Sequence, residues 1–149
     1  MKNIYSNMIS KGALLLSFFL VVGGVNAQNN QWNLVQSTQK VDIFEQTDVV
    51  CNITAANVDM MYTFVKMKNK TASDVQVSFL MAIYYDNQCR TCANSEYEFT
   101  INIPAGQSIS GDCVFDTAEK GMLSIFQKNL SQPNYSDYTR YELQNLVIQ

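Results

Sequence analysis

The chain has 149 residues, with 10 basic and 13 acidic side chains, a formal net charge of −3 and no histidine. That balance disfavours nucleic acid as a partner, because attraction to phosphate backbones needs a surplus of Lys and Arg. The missing histidine removes the commonest general base and the commonest zinc ligand together, so neither a serine triad nor ordinary zinc catalysis can be built.

The opening residues, MKNIYSNMISKGALLLSFFLVVGGVNAQ, combine Lys2 and Lys11 with an apolar run from Ala13 to Val22 and small residues at Val25-Asn26-Ala27. This pattern predicts a secretory signal peptide over residues 1–27. The apolar run is far shorter than the roughly 20 residues a bilayer crossing needs, so no membrane span is expected. The first cysteine is Cys51, which leaves no thiol at the cleavage point for a lipid anchor. Residues 28–149 then form one domain with a secreted or extracytoplasmic address, in the periplasm or on the cell surface.

Along that domain apolar residues recur with period two, and Asn, Asp, Gly, Ser or Pro separate the runs. Strands are expected at 32–36 and 40–44, then at 60-MMYTFVKMK-68 and 75-VQVSFLMAIYY-85, which the short loop 69-NKTAS-73 would join as a hairpin. In the last of these, Val75, Val77, Phe79, Met81, Ile83 and Tyr85 share one face. A second hairpin, 97–103 with 108–115, is expected around Pro104-Ala105-Gly106-Gln107. Residues 117–121 suit a turn or one helical turn, and 122–127 and 141–149 complete the strands. The fold class is all-β, read as a two-sheet antiparallel immunoglobulin-like β-sandwich, disulfide-stapled at one end. Alternating strand directions would carry all four cysteines to that end.

Cys51, Cys89, Cys92 and Cys113 support three readings: two disulfides, a tetrahedral metal site, or a redox dithiol at the C-x-x-C of 89-CRTC-92. Export favours disulfides, and a single C-x-x-C knuckle in a polar loop is weak evidence for metal or redox chemistry. No metal and no cofactor is therefore expected. The strand order favours pairing Cys51 with Cys89 and Cys92 with Cys113.

The segment 133-PNYSDYTRY-141 offers Tyr135, Tyr138 and Arg140 as binding residues, since tyrosine gives a large face and a hydroxyl at low entropy cost. The bland alternative is a tyrosine lid packed over the end of the domain. Tyr62 and Tyr84 would be neighbours on the first hairpin. Glu96 and Glu98 read as one solvated strand face, and Asp112, Asp116 and Glu119 as solvated acids lacking the calcium-loop pattern. Sequons begin at Asn52, Asn69, Asn129 and Asn134.

The run YTFVKMKNKTASDVQVSFLMAIYYDNQCRTC, with YEFTINIPAGQSISGDC, LSIFQK and YELQNLVI, resembles uncharacterised small exported bacterial proteins of immunoglobulin-like β-sandwich type. The resemblance implies a sandwich and an extracytoplasmic address, and brings no catalytic residues. The sequence thus points to a non-catalytic binding, adhesion or envelope-associated module whose partner is an unidentified protein or carbohydrate. The rivals are a thiol-disulfide or metal protein centred on the C-x-x-C, and a structural accessory subunit of a larger surface complex.

Overall fold

A computed structural model describes residues 31–133 and 136–149. The expected signal peptide, and Tyr135 with the sequon at Asn134, lie outside the described residues. The described chain is all-β, arranged as two antiparallel sheets. The first sheet holds β1 (Asn33–Ser37), β2 (Val41–Ile53), β3 (Val58–Asn69), β7 (Ser108–Ser110) and β8 (Ser124–Asn129). The second holds β4 (Val75–Tyr85), β5 (Gln88–Cys89), β6 (Glu98–Ile103) and β9 (Tyr138–Ile148). A short helix, α1 (Ala118–Met122), precedes β8, and Thr117 caps it by accepting from the Lys120 amide.

The period-two pattern sets which side chains enter the core. Val41 and Ile43 of β2 and Val65 and Met67 of β3 meet Val75, Val77, Phe79 and Met81 of β4, and Ile101 and Ile103 of β6 close the same cluster. Burying such aliphatic side chains contributes on the order of 2 kcal/mol each, and this cluster joins the sheets.

Two expected pairings are wrong. Strands β3 and β4 do not form a hairpin: β3 pairs with β2, and β4 lies in the other sheet between β6 and β9. The polar loop after β3 is a crossing between sheets, held by a buried asparagine. Asn69 Nδ2 donates to the carbonyls of Ser73, Ile103 and Pro104 at 2.7, 3.0 and 3.1 Å, while its Oδ1 accepts from the Thr71 amide and hydroxyl. A fully buried amide whose two N–H donors are shared among three carbonyls and whose oxygen accepts twice cannot be a glycan acceptor, so this sequon is structural. Likewise β6 and β7 are not partners, because β7 joins β3 through Lys66↔Ser110 and Lys68↔Ser108. Tyr62 and Tyr84 therefore stand on different sheets.

One bulge reorganises β2. Its register against β3 shifts between Gln46 and Val49, with Asp48 at φ 58°. The extra residues flip the phase of the strand, so that Cys51, opposite Met60, belongs to the outer face of the first sheet. Cys51 and Phe64 are buried without joining the shared core. What covers them is the segment after β7. Gly111 starts it where an added Cβ would lie 2.4 Å from the Leu123 carbonyl oxygen, so only glycine fits. The segment lays Phe115 5.1 Å from the Tyr62 ring, and Lys120 ties it down through Asp112 at 2.7 Å and Asp116 at 2.8 Å.

Candidate functional site

The cysteines are all bonded, but not as the strand order suggested. Cys51 pairs with Cys113, and Cys89 with Cys92. The expected cross-pairing fails because Cys51 belongs to the first sheet and Cys89 to the second, a separation the mistaken hairpins concealed. Each bond has a local task. Cys51–Cys113 clips the covering segment to the outer face of the first sheet. Cys89–Cys92 closes a tight loop along the free side of β4, where β5 has ended and β6 has not begun. In the gap Thr91 takes the place of a strand: its Oγ1 donates to the Met81 carbonyl at 2.7 Å and accepts from the Ile83 amide at 2.8 Å. The Arg90 amide donates to the Ile83 carbonyl beside it. The CRTC loop thus satisfies the β4 backbone where no strand reaches it.

The tyrosine segment divides between two faces. Tyr138 and Tyr141 pack against the core, as the lid alternative describes, whereas Arg140 stands on the outer face of the second sheet. There its guanidinium lies 3.8 Å over the Tyr84 ring and Nε donates to Glu142 Oε1 at 3.1 Å. Gln144 Nε2 donates to Glu142 Oε2 at 2.8 Å and the Tyr84 hydroxyl to the same oxygen at 3.1 Å, so the group is internally satisfied. These bonds hold the Glu142 carboxyl below the usual carboxylate range, with Gln144 the main cause and Arg140 next. Glu96 and Glu98 share no strand face, since Glu96 lies in a 3-10 turn before β6.

Tyr138 lines a cavity. Where β2 bulges and β9 begins, the two sheets part around a cleft of about 450 Å³ lined by Thr47, Asp48, Met61, Gln127, Lys128, Asp137 and Tyr138. A bulge beside a cavity with Asp48 in the left-handed region is the type of local distortion that recurs at binding sites. Behind the mouth runs a polar layer. Gln127 Nε2 donates to Thr63 Oγ1 at 2.7 Å, and the Tyr138 hydroxyl is hydrogen-bonded to Thr63. Tyr141 is hydrogen-bonded to Glu45 in a separate groove that both line with Val35 and Leu143. Burial pushes the Tyr138 and Tyr141 phenols up, and nearby Glu45 adds to both. Tyr85, whose ring meets that of Tyr138 edge-on at 6.0 Å, is pushed up to about 12 by burial and by the neighbouring tyrosines.

Asp48, Thr63 and Gln127 had not been singled out from the sequence. The legible signal for Thr63 and Gln127 is a polar residue in the inward phase of an otherwise apolar strand. Asp48 carries none, because its place depends on the bulge. No family model, curated protein or solved structure matches this chain. The site therefore has to be read from its own chemistry. It brings together two carboxylates, an amide, an ammonium group, a phenol and a thioether, so that hydrogen-bond donors and acceptors line the cleft beside the apolar surface of Tyr138 and Met61.

Proposed function

We propose that the protein is an extracytoplasmic binding module of immunoglobulin-like β-sandwich type, and that it holds a saccharide in the cleft walled by Tyr138. The observation that carries this reading is the cleft, whose volume of about 450 Å³ suits one or two sugar rings. Asp48 and Asp137 would accept from vicinal hydroxyls, Gln127 and Lys128 would donate, and the Tyr138 ring would back the apolar face of the sugar. The two disulfides support the extracytoplasmic address, since such bonds persist in oxidising compartments. Among the described residues no helix is long and apolar enough to cross a membrane.

The test is an oligosaccharide array probed with the purified chain and with Asp48→Asn, followed by calorimetry on any hit. The expected result is a hit that weakens at least about tenfold in the variant, the cost of one lost charge-assisted hydrogen bond. Absence of any hit, or a hit the variant retains at full strength, overturns the reading. The thiol-disulfide alternative has one observation in its favour, the bonded Cys89–Cys92 pair. Against it, the pair flanks a strand edge and opens no α-helix, whose N-terminus would lower a thiolate pKa, only a single 3-10 turn following it at Ser95–Tyr97.

A further inference from the structure

We propose that the free edge of β9 pairs with the same edge of a second copy, in antiparallel register about a two-fold axis at Tyr141. The inference starts from backbone direction. Along β4, Met81 and Ile83 turn their amide and carbonyl groups toward the CRTC loop. Alternation then turns Leu80, Ala82 and Tyr84 toward β9, where they face Gln144, Glu142 and Arg140. The backbone groups of Arg140, Glu142 and Gln144 are thus used within the sheet. Those of Tyr141 and Leu143 point the other way, where no strand follows among the described residues.

Strand β9 is 11 residues long, and between its two register shifts the regular stretch 140–144 presents a free edge, a template for another strand on which the side chains choose the partner. Arg140 and Glu142 flank Tyr141 and share the outer face. When Tyr141 sits opposite its own copy, Arg140 faces Glu142 of the second copy, and Glu142 faces its Arg140. Both ion pairs fall at the closely spaced, non-hydrogen-bonded positions, where cross-strand side chains interact most. A two-fold interface must be self-complementary in this way, and centring the pairing on Arg140 or Glu142 would oppose like charges. The Arg140 and Glu142 side chains are about half exposed, and the Arg140 fork retains donors beyond the Nε bonded to Glu142.

Apolar surface beside the edge points the same way. Leu34 and Val35 of β1 are 57% and 46% exposed, and Val35 and Gln36 form a groove with Tyr141, Glu142 and Leu143. Val147, 48% exposed, lies on the same strand as the ion pairs. Joined edges would shield part of this surface from water.

Sedimentation equilibrium on the folded chain, Arg140→Glu, Glu142→Arg and their equimolar mixture tests the pairing. Each variant opposes two like charges across the axis, whereas the mixture restores both ion pairs. The expected result is a wild-type dimer, at least a tenfold weaker dimer for each variant alone, and a mixed dimer of near wild-type strength. Circular dichroism confirms that the variants fold, and the rescue in the mixture cannot come from unfolded chains. A wild-type chain that stays monomeric up to about 1 mM, variants that dimerise as well as wild type, or a mixture that stays as weak as its components overturns the proposal.

Discussion

The two disulfides do different mechanical work, and the contrast shows how each sheet is completed. Cys51–Cys113 spans 62 residues and fastens a covering segment that no ladder of backbone bonds joins to the strand beneath Cys113. Cys89–Cys92 spans 3 residues and shapes a loop already bonded to β4 through Arg90 and Thr91. The first bond replaces secondary structure, while the second refines it. In the chain-entropy picture the long loop is worth about 4 kcal/mol and the short one about 2 kcal/mol, before any difference in what each bond orders.

The largest effect is therefore expected from Cys51→Ala with Cys113→Ser. Calorimetry should show a loss of about 4 kcal/mol, which for a domain of this size lowers the melting temperature by on the order of 10 °C or more. Hydrogen exchange should place new mobility in the segment around Phe115 and at Tyr62. A shift no larger than that of the short-loop double mutant would break the contrast.

Next comes Cys89→Ser with Cys92→Ser, for which a loss of about 2 kcal/mol or less is expected, with exchange rising at Ile83 and Tyr84 and unchanged in β3. The same variant separates structure from redox chemistry. If the pair is a clip, saccharide binding survives its removal. A cell-envelope thiol-exchange assay in which wild type turns over and this variant does not would instead favour the dithiol reading.

What the sequence made legible follows from what period two encodes. Val75, Val77, Phe79 and Met81 were readable as one core face, because alternation reports which side chains turn inward. It does not report which strand lies alongside. A short polar loop fits a hairpin and a crossing between sheets equally well, and Asn69, at the end of β3, made the difference by bonding carbonyls of the loop and of β6 in the second sheet. The cysteine pairing was lost with that hairpin. The strand character of residues 49–53 was hidden by the bulge at Gln46–Val49, which breaks the alternation a reader would follow. The site shows the same cause on a smaller scale. Tyr138 and Arg140, two apart, should share a face, yet a register shift between Tyr84 and Tyr85 sends Tyr138 inward and Arg140 outward. The four cysteines were legible as bonded, whereas the cleft, formed by a bulge, was not.

Thr91→Val sharpens the comparison at finer grain. Valine has the shape of threonine but neither bond, so the Met81 carbonyl and the Ile83 amide would lose their partner while both disulfides stay intact. A cost of about 1–2 kcal/mol is expected, since the bond to the Met81 carbonyl is buried and that to the Ile83 amide part-buried. A neutral substitution would mean that water replaces the hydroxyl, and that the disulfide alone shapes the loop.

The smallest effect near neutral pH, and the one that turns the comparison on the second sheet, comes from tyrosine ionisation. Tyr85 of β4 and Tyr138 and Tyr141 of β9 all have phenols pushed up, chiefly by burial, and Tyr85 reaches about 12. In the unfolded chain these groups ionise near 10, so above that pH the unfolded state has shed protons that the folded state still holds. Stability must then fall as pH rises. The contribution is complete below about pH 10 and is lost progressively through about pH 12, where Tyr85 begins to ionise in the fold. Melting curves should be flat from about pH 7 to 9 and decline above, and Tyr85→Phe with Tyr141→Phe should flatten part of that decline. Hydrogen exchange at about pH 10.5 should open β9 before β3, because among the described residues the first sheet has a single tyrosine, Tyr62, pushed up by burial, against several in the second. Simultaneous loosening of both sheets would show that the tyrosine-lined end does not respond separately from the stapled face.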